Sequence, residues 1–179
     1  MPESIPVWLP WLLSALTGGL SAALFNSFMN WRKAENDKKR EKTTQINALK
    51  QELIHALWLM GHNYGRIVSK ELPNKALAPI GTANVERHLF ETTSSLSLKP
   101  ETQSKLHDYL QQTVYLNRLI AEYSAVVLAN PLTPERFGVW LGEIKAICTP
   151  NDTYRDNDSE PSLKVRAKKL LDDLSEVKL

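Results

Sequence analysis

The stretch that decides the fold is WLLSALTGGLSAALFNSFMNWRKAENDKKREK, residues 11–42, in which a long apolar run is followed at once by dense charge. Residues 4–31 form 28 consecutive positions without a charged side chain. About 20 apolar residues in a helix cross the roughly 30 Å hydrocarbon core of a bilayer. Trp8 and Trp31 flank the run, where their rings suit the two lipid–water interfaces. The sequence therefore predicts a transmembrane anchor within residues 1–31.

Two alternatives to an anchor are a buried helix of a soluble domain and a cleaved signal peptide. Core helices rarely lack charge over so long a stretch. A signal peptide carries positive charge ahead of its apolar segment, but the only ionisable side chain there is Glu3. Both considerations favour a membrane anchor that is retained.

The charge on the two sides of the run predicts its orientation. No Lys or Arg precedes Pro10, whereas residues 32–42 contain six basic side chains. Because basic flanks stay in the cytoplasm, we expect a short N-terminus outside and residues 32–179 inside. Residues 32–45 are then a basic juxtamembrane segment that can also touch anionic headgroups. The single Cys148 cannot form an intramolecular disulfide, as is usual in a reducing compartment.

Small and polar residues of the anchor predict self-association. Helices in lipid associate through close backbone approach across small residues and through bonds between polar side chains. Gly18 with Ala22, and Gly19 with Ala23, form two small-xxx-small pairs. The predicted oligomerisation residues are Ala15, Gly18, Gly19, Ala22, Ala23 and Asn26. The alternative is an anchor that acts alone, since glycine is common in such helices.

Residues 46–179 are predicted to form one helical domain. Apolar residues recur every three or four positions from Ile46 to Ile67, which is the period of one helix face. No Pro or Gly lies between Gly19 and Gly61, so this helix can continue the anchor. Further helices are expected up to about Phe90 with Asn84 as cap, from Pro100, from Pro134 with Thr133 as N-cap, and from Pro161 or Ser162.

No alternating β pattern longer than a few residues occurs in the sequence. The predicted fold class is therefore all-α, with a single N-terminal transmembrane helix followed by a cytosolic bundle of four or five helices.

The charge balance argues against a surface that binds long nucleic acid. Residues 32–179 hold all 22 Lys and Arg and 19 of the 20 acidic residues, a formal charge of +3. The segment 32–42 alone accounts for that +3, so the domain beyond it is balanced. Long DNA or RNA requires a broadly basic surface. We therefore expect no long nucleic acid as a partner.

No sequence motif predicts catalysis or a cofactor. The P-loop, G-x-G-x-x-G, H-E-x-x-H and G-x-S-x-G patterns are all absent. His55 and His62 are seven residues apart, too far for the usual i, i+4 metal pair. Cys148 has no His near it in the sequence, so we expect it at a helix end rather than as a nucleophile. We predict a non-enzymatic protein with no metal and no cofactor.

One segment, GHNYGRIVSK at residues 61–70, combines residue types that bind nucleotides. Tyr and His stack on bases, Asn bonds to base edges, and Arg binds phosphate. The segments VERHLF at 85–90 and YLNRLI at 115–120 place similar residues on other helices. The predicted ligand-binding residues are His62, Asn63, Tyr64, Arg66, Arg87, His88, Asn117 and Arg118. The alternative is that these are ordinary surface residues and polar pairs between helices.

An N-terminal membrane helix with small residues, a basic collar and a small helical cytosolic domain resembles the CRISPR-associated membrane effectors. In the group attached to type III systems, the cytosolic domain binds a cyclic oligoadenylate, and the membrane helices of the oligomer are thought to perturb the bilayer. The resemblance covers the whole chain as an architecture. It implies a homo-oligomer in the bacterial inner membrane, with the ligand shared between subunits and bound by the residues named above.

A second group of such effectors, attached to RNA-guided ribonucleases, has a domain that resembles HEPN ribonucleases and forms a pore. HEPN ribonucleases carry an Arg followed four to six residues later by a His, a spacing that none of the four His shows here. Arg87 is adjacent to His88, which is a different geometry. The type III group therefore matches better. The alternatives are an inner-membrane scaffold that docks a protein partner and a degenerate HEPN-like CRISPR accessory protein.

Overall fold

The protein is helical throughout the part of the chain that its computed structural model describes, which is residues 8–69, 76–90, 96–129, 134–149 and 162–177. No strand occurs within these ranges, so the predicted all-α class is confirmed. The helices found there are α1 (Trp8–Val68), α2 (Ala83–Phe90), α3 (Pro100–Ala129), α4 (Pro134–Cys148) and α5 (Leu163–Ser175).

The chain divides into two compact units, Met1–Lys42 and Thr43–Leu179. The first unit contains the predicted anchor and most of the juxtamembrane segment. The second contains the predicted helical domain. Helix α1 supplies residues to both units without a break, as expected from the lack of Pro and Gly between Gly19 and Gly61.

In the first unit, every described side chain of α1 up to Glu41 is exposed. Within the described part of the chain, no helix combines the length and the apolar character that a membrane crossing requires. The predicted anchor also includes residues 1–7, and within α1 it includes side chains that lie outside the described residues. These side chains are Leu9, Pro10, Leu12, Leu13, Leu16, Thr17 and Leu20. The transmembrane helix stays a prediction.

The second unit is built on one hydrophobic core. The apolar face predicted for α1 is buried at Ile46, Leu49, Leu53, Ala56 and Met60, with Tyr64 and Ile67 packed partly buried against the same core. Helix α3 packs against α2, α4 and α5. The other helices contribute the buried residues Val85, Leu106, Tyr109, Leu110, Leu116, Leu119, Ile120, Tyr123, Ile144, Cys148, Leu163, Ala167, Leu170 and Leu174.

The helix starts follow the local sequence. Helices α3 and α4 begin at Pro100 and Pro134, where proline loses no hydrogen bond because the first N–H groups of a helix have no partner within it. Helix α5 begins after Ser162, whose Oγ accepts a 3.4 Å hydrogen bond from the Val165 N–H. The Thr133 cap predicted for α4 lies outside the described residues.

Candidate functional site

The predicted ligand-binding residues gather around one loop, residues 76–82, which leads into α2. Asn63, on α1, is fully buried and uses both ends of its amide on this loop. Its Nδ2 donates to the Ala78 carbonyl at 2.9 Å, and its Oδ1 accepts from the Ala78 N–H at 3.0 Å. Because the side chain is also fully buried, neither amide atom is accessible to a base edge.

Asn117, on α3, holds the same loop two residues further on. Its Oδ1 accepts from the Ile80 N–H at 2.8 Å, and its Nδ2 donates to the Ile80 carbonyl at 2.8 Å. Pro79 lies between the two bonded residues and has no N–H to satisfy. The flanking Leu77 and Ile80 side chains are buried in the core. Peptide groups beside buried side chains need partners, and the two asparagines supply them at Ala78 and Ile80.

Two further side chains of α1 complete this attachment. Arg66 donates from its guanidinium to the Ala76 carbonyl. The Glu52 carboxylate accepts from the Asn84 N–H at 2.7 Å and from the Val85 N–H at 3.1 Å. A carboxylate at this position pairs two N–H groups of the first turn of α2 and suits the positive end of the helix dipole.

This geometry corrects the cap predicted for α2. Asn84 lies inside the first turn, because α2 begins at Ala83. Thr82 precedes the helix, and its hydroxyl donates to Glu86 Oε1 at 2.6 Å. The cap from Glu52 comes from another helix, 32 residues earlier in the chain. We name the set Glu52, Asn63, Arg66 and Asn117 the loop clamp.

His62 belongs to an aromatic stack on the outer side of α1. Its ring is stacked on Trp58, with centroids 5.2 Å apart and planes 7° apart. His55 stacks on the same tryptophan at 6.0 Å and 10°. Trp58 remains 60% exposed. Sequence reasoning missed this tryptophan, although the His–Trp–His spacing of three and four residues on one helix was a usable signal.

The remaining predicted residues are spread over three helices. Tyr64 packs partly buried against the core, and Arg87 is exposed on α2. His88 is half-buried, and burial lowers its pKa, so its ring is neutral at neutral pH. The Arg118 side chain is 75% exposed, and its Nε bonds Glu122 Oε1 at 2.8 Å, an interaction that raises the pKa of the arginine.

The loop clamp therefore brings together Asn63, Arg66 and Asn117, with Arg118 next to it in sequence. His62 instead contacts Trp58. A separate groove lies between the start of α3 and the end of α5. There Lys105 pairs with Glu101 at 3.0 Å and with Asp173 at 2.9 Å. None of the predicted ligand-binding residues lines that groove.

Two features of the described residues bear on a metal site and on the reactivity of Cys148. Over these ranges, no cluster of three or more His, Cys, Asp or Glu side chains could hold a metal ion. Cys148 ends α4, as predicted, and is fully buried. Burial raises the pKa of its thiol to about 12, so the nucleophilic thiolate is scarce at neutral pH.

The predicted oligomerisation residues all lie on α1 in the first unit. Ala15, Gly18, Gly19, Ala22, Ala23 and Asn26 are exposed. A Cβ added at either glycine would meet nothing within 4 Å. The Ser21 hydroxyl donates to the Gly18 carbonyl at 3.0 Å, a bond within the helix. Contact between copies through this face stays a prediction.

Comparisons with protein-family models, with curated proteins and with solved structures found no match for this chain.

The loop clamp leads to a stability prediction. Asn63→Ala should lower the free energy of unfolding by about 1–3 kcal/mol, because the Ala78 N–H and carbonyl lose their partners in the interior. Asn47→Ala is the matched control, since Asn47 is an exposed asparagine of the same helix. Urea unfolding of the full chain in detergent, followed by circular dichroism, measures both. Equal stabilities of the two variants would show that the clamp contributes nothing.

Proposed function

We propose that this protein is a single-pass protein of the bacterial inner membrane and a non-enzymatic effector of antiviral defence. The observation that carries the proposal is the uncharged run of 28 residues, followed by six basic residues within residues 32–42. Residues 8–31 of this run and the six basic residues lie on α1, the helix that also enters the core of the second unit. In this proposal, residues 32–179 face the cytoplasm, because the basic flank stays inside.

The exposed surface of α1 in the first unit supports a lipid environment. Five large apolar side chains between residues 24 and 31 are 46–70% exposed. In water this surface would be unfavourable by roughly 25 cal/mol for each Å² of apolar area. Lipid chains or other membrane helices would cover it. The five side chains are Leu24, Phe25, Phe28, Met29 and Trp31.

The proposed ligand is a cyclic oligoadenylate shared between copies of the chain. The exposed guanidinium groups of Arg87 and Arg118 lie on α2 and α3, two helices that pack together. A balanced domain gains little from a long polyanion, whereas a small ring of phosphates needs only a few arginines repeated around a symmetry axis. The base contacts proposed are Tyr64 and the ring of His62.

The hydrogen bonds of the loop clamp reduce the number of proposed ligand contacts. Asn63 and Asn117 have both amide atoms bonded to the loop, and Arg66 donates to it. We therefore leave these three residues out of the ligand contacts. The same hydrogen bonds favour a second candidate function, a membrane scaffold whose bundle docks a protein partner. They show that three residues predicted to bind a ligand instead hold the fold together.

Signal transmission would use α1, since it belongs to both units. A ligand shifts a conformational equilibrium only if its affinity for the two states differs. In the loop clamp, Glu52 of α1 bonds the start of α2. Asn63 of α1 and Asn117 of α3 bond the same loop. A ligand at Arg87 and Arg118 would therefore act on helices that are bonded to α1 through the clamped loop.

The topology can be tested with a C-terminal reporter. A fluorescent protein fused after Leu179 should fluoresce in the bacterial cytoplasm, and the fusion should stay in the membrane fraction after alkaline extraction. A reporter that works only in the periplasm would contradict the orientation. A fusion that remains in the soluble fraction would contradict the anchor.

Two lysine substitutions in the uncharged run test the anchor, and a third at an exposed position of α4 is their control. Ser21→Lys and Ala22→Lys should each weaken membrane association, because both positions are near the middle of the predicted span and a lysine near a helix centre costs about 2.5–3.5 kcal/mol in insertion assays. Val139→Lys, at an exposed position of α4, should leave the membrane fraction unchanged.

Calorimetry of the full chain in detergent tests the ligand. Cyclic tetra- or hexa-adenylate should bind at micromolar concentration and more tightly than linear oligoadenylate of the same length. Arg118→Ala should weaken binding roughly ten- to a hundredfold, because a charged hydrogen bond is lost. Glu122→Ala is the matched control, since it removes the partner of Arg118 and keeps the guanidinium. If neither ring binds to the folded chain, the scaffold function takes the place of the sensor.

A further inference from the structure

The outer side of α1 in the second unit carries an apolar face that the domain does not cover. It consists of Ile54, Trp58, Gly61, Gly65 and Val68, spaced by four, three, four and three residues. This is the spacing at which one helix packs along another. Ile54, Trp58 and Val68 are 49%, 60% and 48% exposed. The buried face of the same helix uses other positions, from Ile46 to Met60. We name the five residues the outer face.

The two glycines of the outer face have no explanation within the chain. A Cβ added at Gly61 or Gly65 would meet nothing within 4 Å, and neither backbone has the positive φ that favours glycine. Each glycine inside a helix is unfavourable by about 1 kcal/mol relative to alanine. Glycines four residues apart allow another helix backbone to approach closely. Their position beside exposed apolar side chains fits such an approach.

The side chain of Trp58 is ordered by stacking contacts with its neighbours. The rings of His55 and His62 stack against it from the two sides along the helix. A side chain that is already ordered loses less conformational entropy when it is buried at an interface. Tryptophan is also among the residues that contribute most to protein–protein binding.

The lack of charge on the outer face favours a second copy of the chain as its occupant. Around a twofold axis that relates two parallel helices, each residue of the contact faces its own copy. A charged residue there would meet a like charge, which is unfavourable. The outer face and its neighbours His55 and His62 include no Asp, Glu, Lys or Arg. The face is therefore compatible with itself and offers no charge with which a charged partner could pair.

We propose that the outer face binds a second copy of this chain, with the two α1 helices side by side and in the same direction. The proposal rests on the membrane anchor, which gives all copies one orientation. A five-residue face is much smaller than the roughly 20–30 residues per side of a stable interface. Anchoring raises the effective concentration of the copies and makes so small a contact sufficient. The proposal adds a contact in the domain to the one predicted in the membrane.

Disulfide cross-linking of the full chain in membranes tests the contact and its direction. Ile54→Cys and Val68→Cys should each form covalent dimers under mild oxidation. Val114→Cys should not, since Val114 is a comparably exposed residue of α3. The buried Cys148 gives a low background. Cross-linking only in a mixture of Ile54→Cys and Gly65→Cys chains would show opposite directions and would overturn the proposal.

A bulky side chain provides the second measurement. Gly65→Leu should reduce the Ile54→Cys dimer at least fivefold and leave the helical content unchanged, because the added side chain has open space in the monomer. Gly142→Leu is the control, since Gly142 is an exposed glycine of α4 with the same open surroundings. If the chain is in the membrane fraction and no dimer forms, this proposal fails while the anchor stands. If the chain is not in the membrane fraction, the anchor fails and this proposal with it.

Discussion

The paired hydrogen bonds from Asn63 and Asn117 to the loop at residues 76–82 are the constraint on which the second unit depends. Each amide satisfies both the N–H and the carbonyl of one loop residue, Ala78 or Ile80. Without them, the loop could not lie against the core at Leu77 and Ile80 unless its peptide groups found other partners. Because Asn63 is on α1 and Asn117 on α3, the same bonds connect the two longest helices through the loop.

Within the second unit, different sides of α1 have different roles. One side of the helix is apolar and buried from Ile46 to Met60. Glu52, Asn63 and Arg66 are bonded to the loop and to the start of α2. A third side carries the exposed Trp58 between two histidines. Polar side chains of the types that recognise nucleotides are thus used by the fold at Asn63, Arg66 and Asn117. Arg87, Arg118 and much of the outer face are exposed.

How much of this structure the sequence predicts depends on how far apart in the chain the interacting residues are. The buried face of α1 and the starts of α3 and α5 depend on neighbouring residues, and local spacing was sufficient to find them. The loop clamp joins residues 10 to 37 positions apart, so no local pattern indicates it. For the same reason the sequence predicts Asn84 as the cap of α2, whereas Glu52 fills that role from another helix. The sequence predicted Asn63 and Asn117 as ligand contacts, because their residue types alone could not distinguish a nucleotide partner from a peptide one.

Amide hydrogen exchange at two loop residues tests the central role of the clamp most directly. In the full chain in detergent, the Ala78 and Ile80 N–H groups should exchange as slowly as those of the buried part of α3, because each donates to an asparagine side chain. In Asn63→Ala, the Ala78 N–H should exchange faster, and the buried part of α3 should change less. Exchange of both loop amides in the unmodified chain at the rate of an open peptide would contradict the account.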